Sequence, residues 1–152
     1  MTKGFSLIEI LIAILVMTIG IVGIYAIVPR SVFWGEVNVD KFIASKLAQE
    51  GLELVRNIRD TNWIKKETWN TNLAVGDDYE IDYNDPELSL KDQFLKINND
   101  GFYQYENGKE TKFKRKISIK ECGDSCLKII SKVSWANNNF SLEENLYDWK
   151  GQ

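Results

Sequence analysis

Apolar residues fill nearly every position from Ile10 to Pro29, and no charge interrupts them. The run ILIAILVMTIGIVGIYAIV is broken only by Thr18, Gly20, Gly23 and Tyr25, too few to give a soluble helix its polar face. As a helix, Ile10 to Val28 would be roughly 28 Å long at ~1.5 Å per residue, matching the ~30 Å hydrocarbon thickness of a bilayer. Pro29 removes a backbone donor and is expected to kink or interrupt a helix passing through it. Helical periodicity nevertheless resumes in DKFIASKLAQEGLELVRNIRD. Ala44, Leu47, Ala48, Gly51, Val55 and Ile58 recur there at three- and four-residue spacings, with Lys46, Glu50, Glu53 and Arg56 largely off the stripe. Asp60-Thr61-Asn62 ends the pattern. If the two helical parts are continuous, Phe5 to about Arg59 makes a rod of roughly 80 Å.

After Trp63 the period shortens to two. Tyr79, Ile81 and Tyr83 alternate with acidic residues from Asp77 to Tyr83, as in a half-buried strand. Phe94 to Ile97, the turn Asn98-Asn99-Asp100-Gly101, and Phe102 to Tyr105 read as a hairpin. Asn107-Gly108 is the strongest short hairpin signal and leads into Thr111 to Lys120. Leu127 to Trp135 and Phe140 to Trp149 supply two further strands. Short strands joined by turns predict an antiparallel meander, and one amphipathic helix is available to cover its apolar face. The expected fold class is α+β. No internal repeat or Pro/Ser-rich linker breaks the soluble part, and with only Pro29 and Pro86 it has no proline-rich hinge.

The 152 residues, 44% hydrophobic and 27% charged, suit one folded domain and exclude disorder as the main state. A mean hydropathy of −0.27 despite the greasy N-terminus makes the remainder distinctly polar. Net charge is −3 with a pI near 5.1, which argues against polyanion affinity unless the basic residues share a face. The absence of histidine removes Ser-His-Asp and Cys-His nucleophiles, His-ligated zinc and imidazole pH switching. Lys3 before the apolar run and Arg30 after it orient the chain only weakly. A cleaved secretory signal would have a shorter core of about 7 to 15 residues and a small-residue cleavage site, so the segment is expected to remain in the mature protein. Glu9 is out of place at the front of such a segment, where ionisable groups are costly and usually partnered.

Lys3-Gly4-Phe5-Ser6-Leu7-Ile8-Glu9 followed by about twenty apolar residues resembles the prepilin motif of type IV pilins and of the pseudopilins of type II secretion and DNA-uptake machines. The resemblance implies cleavage between Gly4 and Phe5 by a membrane aspartyl peptidase, N-methylation of Phe5, and an assembly role for Glu9. It also implies a pilin-like head on a long N-terminal helix, divided as a leader at 1–4, a transmembrane segment at 5–28, an amphipathic continuation at 29–62 and a β-rich head at 63–152. The implied partners are other pilin or pseudopilin subunits, prepilin peptidase/methyltransferase and membrane lipid. The implied location is the cytoplasmic (inner) membrane as a single pass with the head extracytoplasmic, then the pilus and cell surface. Leu47 to Asp60, with Val133-Ser134-Trp135 and Tyr147-Asp148-Trp149, is similar to minor pilins like PilV and to the I-type pseudopilin. The chain lacks the large C-terminal disulfide loop of major pilins, and its proline is placed differently.

Given an extracytoplasmic head, Cys122 and Cys126 are expected to form a disulfide, pinning a turn at a gain of roughly 2 kcal/mol at most. Lys112, Lys114, Lys116 and Lys120 share one strand face, opposite Phe113, Arg115, Ile117 and Ile119. That face is a candidate for an anionic ligand such as DNA, or simply a lysine-protected sheet surface. The acidic stretch from Asp77 to Glu87 fails the calcium-loop pattern, because Pro86 and Glu87 stand where Asp/Asn and Gly are needed; it reads as a solvated loop. Trp63, Trp69, Trp135, Tyr147 and Trp149 are expected between helix and sheet, with sugar binding by an exposed group of them as the alternative. Paired acids such as Glu143-Glu144 have no catalytic partner, so the reading is of a non-enzymatic subunit without cofactor or metal. A tip-located binding pilin and a membrane-anchored enzyme are the rivals.

Overall fold

The computed structural model describes residue 4, residues 6–85 and residues 87–151, with the backbone alone at 26 and 28–34. The chain divides into two compact units, Met1–Asp40 and Lys41–Gln152. Helix α1, Leu7–Lys65, contributes to both. Its backbone stays helical through position 29, so the proline expected to interrupt it does not end it. Ile and Val dominate the first part, and their stiff χ1 disfavours helix in water. In hydrocarbon the backbone must satisfy its own hydrogen bonds, which favours helix regardless. Every described side chain from Leu7 to Tyr25 is exposed, and these 19 residues have a mean hydropathy of 2.8, long and apolar enough to cross a bilayer.

In the second unit the same helix is amphipathic. Ala44, Leu47, Ala48 and Val55 are at most 2% exposed, and they are the stripe read from the sequence. The helix runs three residues beyond the expected end. It closes where Lys66 adopts a left-handed conformation (φ 59°), with Lys66 N–H donating to Trp63 C=O and Glu67 N–H to Asn62 C=O, a Schellman ending. Asn62 was expected to stop the helix; its side chain instead donates to the carbonyls of Trp69 and Thr71, tying the following loop to the last turn.

The head is α+β. Strands β1 (Gly76–Tyr79), β5 (Lys114–Gly123), β6 (Cys126–Trp135) and β7 (Asn138–Tyr147) form one sheet in the order β1-β5-β6-β7. Only β5-β6-β7 is a meander, with Ile119 opposite Ile129 and Leu127 opposite Leu146. β2 (Lys96–Ile97), β3 (Tyr103–Gln104) and β4 (Lys109–Glu110) make a second sheet in the order β3-β2-β4. The β2-β3 hairpin is as expected, its turn held by the Asn98 side chain accepting from the N–H groups of Asp100 and Phe102.

Asn107-Gly108 does not make a hairpin, because β4 pairs with β2 and not with β3. Gly108 (φ +128°) is needed for a different reason: a Cβ there would lie 2.4 Å from the Ile97 carbonyl oxygen. The alternation expected over Asp77 to Tyr83 also fails. β1 ends at Tyr79, Glu80 bridges to Ser89, and Glu80 and Asp82 are buried while Tyr83 is exposed.

One core cluster joins Val55, Trp63 and Trp69 to Ile81, Ile117, Ile119, Ile129 and Leu146. A second joins Ala44, Leu47 and Ala48 to Leu95, Phe113, Val133 and Trp135. Trp63, Trp69 and Trp135 lie in the core as expected, whereas Tyr147 and Trp149 are 52% and 69% exposed. β7 ends at Tyr147, so Trp149 lies past the sheet; its ring meets Trp63 edge-on at 5.0 Å.

Candidate functional site

Ser6 precedes the first helical residue, and its carbonyl accepts from the N–H groups of Glu9 and Ile10 at 3.0 and 3.3 Å. Glu9 therefore stands in the first turn of α1, three residues after Ser6. A carboxylate there complements the positive end of the helix dipole, a local signal in the Ser-x-x-Glu spacing that the sequence reading did not use. Gly4 is exposed; Phe5, the expected methylation site, and Met1 to Lys3 lie outside the described residues. Thr18, the polar break in the apolar run, donates its hydroxyl to the Ile14 carbonyl at 2.6 Å, so its donor is satisfied within the helix.

Of the four lysines singled out on the head, Lys114 and Lys116 meet at Asp92, at 2.7 and 3.2 Å. Lys116 also pairs with buried Glu80 at 3.2 Å. Burial pulls the Lys116 pKa down, but hydrogen bonds to Asp92 and Glu80 outweigh it and the net shift is upward. Hydrogen bonds from Lys114 and Lys116 lower that of Asp92. Lys112 precedes β5 and lies 5.8 Å over the Phe113 ring. Lys120 is exposed, directly opposite Lys128. Two of the four are thus committed to acids of the same chain, which weakens the case for an open anionic-ligand face.

The acidic stretch is not a solvated loop in its centre. Asp82, 1% exposed, accepts from the N–H groups of Asn84 and Tyr105 at 2.8 and 2.9 Å. Glu80, fully buried, accepts from Gln93 N–H at 3.0 Å. Arg115 is fully buried too. It donates to the carbonyls of Leu47 and Ile81 at 3.1 and 2.6 Å and pairs with Glu50 at 3.3 Å, joining the helix, β5 and the segment after β1. Its place on the apolar side of β5 was readable from strand parity; its partners were not.

Cys122 and Cys126 form a disulfide across the β5-β6 turn, with Cα atoms 5.1 Å apart, and Ser125 of that turn accepts from Asp148 N–H at 3.1 Å. Glu143 and Glu144 point to opposite faces of β7, toward Lys128 and Arg56 at 2.5 Å each, so they form no acid pair. The hydrogen bond to Glu144 raises the Arg56 pKa. A groove of about 230 Å³ is lined by polar side chains, among them Asn57, Thr61, Lys65, Glu67, Tyr83 and Asp85. Among the described residues no group of three or more Cys, Asp or Glu is placed to hold a metal ion.

Residues 1–25 match the prokaryotic N-terminal methylation motif, the signature of type IV pilins. Comparison of the chain with curated proteins and with solved structures gave no match. The motif and the apolar helix fit membrane anchoring, assembly with other pilin subunits and processing by prepilin peptidase, and the proteins that carry it are structural.

Proposed function

We propose that the chain is a minor structural subunit of a type IV pilus or pseudopilus, cut between Gly4 and Phe5, methylated at Phe5 and held in the inner membrane as a single pass with its head outside. The match of residues 1–25 to the methylation motif carries this reading. The exposed apolar surface from Leu7 to Tyr25 supports it, since such a surface requires lipid or neighbouring apolar helices. Glu9 then acts in assembly: its charge is costly in hydrocarbon and is neutralised when the free amine of a neighbouring subunit's Phe5 docks beside it. Co-expression with a prepilin peptidase tests the reading. Intact-mass measurement of membrane protein should show loss of Met1 to Gly4 and gain of one methyl group; an intact leader beside a processed control pilin would overturn it.

A further inference from the structure

The ammonium of Lys116 reaches from the outer face of β5 into a ring of oxygens supplied by one neighbouring segment. Its Nζ donates to the Lys91 carbonyl at 2.8 Å and to the Asp78 carbonyl at 3.5 Å. It lies 3.2 Å from a carboxylate oxygen of Glu80 and 3.2 Å from one of Asp92. Two carboxylates and two carbonyls around one positive centre form the kind of donor set that holds a hard cation in a loop.

Glu80 is the knot of this segment. Its backbone exchanges hydrogen bonds with Ser89 at 2.7 and 2.9 Å, and its side chain receives Gln93 N–H. It is fully buried, with Oε2 lacking a hydrogen-bond partner. A buried carboxylate is costly unless hydrogen bonds or a nearby opposite charge compensate it, and Glu80 has one oxygen without a hydrogen bond. Lys116 supplies that charge, whereas Lys114 pairs with Asp92 and lies over the Phe94 ring.

We propose that Lys116 is a built-in cation for the segment from Asp78 to Gln93, serving as a bound divalent ion serves a metal-binding loop, and that its removal uncovers a latent oxygen site for Ca²⁺. The native head is then indifferent to divalent cations. A Ca²⁺ ion would draw the oxygens inward, since its ligand distances are about 2.3–2.6 Å, and the second oxygen of Glu80 is free to join them.

The test uses the full chain in detergent micelles, with melting followed by near-ultraviolet circular dichroism in EDTA or in millimolar CaCl₂. Wild type should melt at the same temperature in both. Lys116→Met should melt roughly 5–10 °C lower in EDTA, recover at least half of that loss in CaCl₂, and show matching changes in amide exchange over residues 80–93. The double variant Glu80→Gln/Lys116→Met should melt above the single variant in EDTA and ignore Ca²⁺. Should Lys116→Met fail to fold in either buffer, the double variant decides: its folding supports the proposal, and its failure overturns it. Lys116→Met that matches wild type in EDTA, or that folds but ignores Ca²⁺, overturns it, as does a Ca²⁺-dependent rise in the wild type.

Discussion

Gly51 sits on the buried stripe of α1, where a glycine costs about 1 kcal/mol of helix propensity relative to alanine. On an exposed helix Gly51→Ala would therefore stabilise the protein. Here the added methyl carbon would lie 2.5 Å from Ser131 Oγ, 2.9 Å from Ile117 Cδ1 and 3.0 Å from Arg115 Cδ, against the ~3.5–4.0 Å of an unstrained carbon contact. All three side chains are fully buried. Ile117 is in the core, Arg115 is tied to Leu47 and Ile81, and only the Ser131 hydroxyl, which lacks a partner, can turn aside. Overpacking costs about 1–3 kcal/mol, and three buried atoms within 3.0 Å of the new carbon put this site in the upper part of that range, about 2–3 kcal/mol, so after the propensity gain the net loss should be about 1–2 kcal/mol. Guanidinium denaturation of the micelle-bound chain, followed by tryptophan fluorescence, reads this directly. In a Ser131→Ala background the closest clash disappears, so the same substitution should cost at least ~0.5 kcal/mol less. An unchanged or raised midpoint for Gly51→Ala, or an identical cost in both backgrounds, would refute the close approach of helix and sheet at this glycine.

Glu9→Leu should still insert in the membrane yet be depleted from sheared filaments; equal recovery in the filament fraction would remove the assembly role. Arg115→Ala should destabilise the head by about 3–5 kcal/mol, since it empties a buried volume and strips the Ile81 carbonyl of a donor; a loss under about 1 kcal/mol by denaturant titration would show that those contacts are dispensable. Burial pushes the Tyr105 pKa up to about 12, above its ordinary value near 10. The neutral phenol thus stabilises the folded state below pH ~10 and that contribution fades as pH climbs toward 12. Ultraviolet titration should show one late-ionising tyrosine that vanishes in Tyr105→Phe.

Legibility along the chain followed the range of the interactions. The stripe from Ala44 to Val55 and the inner positions Phe113, Ile117 and Ile119 were readable because periodicity is local and burial enforces it. The motif from Lys3 to Glu9 was readable for another reason: it is a short contiguous recognition sequence whose match needs no fold. What failed was decided between distant segments. Nothing near Asn107-Gly108 announces that β4 will pair with β2, and nothing near Gly76 announces that β1 will lie beside β5. Tyr147 and Trp149 have the size and aromatic character of core residues, yet the last strand ends at Tyr147.

The charged residues show the same limit more sharply. Glu80, Asp82 and Arg115 carry the polarity of a surface, and on composition they belong there. Each is buried because a partner far along the chain meets it: Lys116 for Glu80, the Tyr105 amide for Asp82, and the Leu47 and Ile81 carbonyls with Glu50 for Arg115. The lysine row on β5 looked outward for an anion, and two of its members found one within the chain. In a head whose second sheet has strands of only two residues, main-chain pairing holds little of the segment between β1 and β5. Side-chain charge supplies the missing ties, so the residues that sequence assigns to solvent are the ones that fix this segment in place.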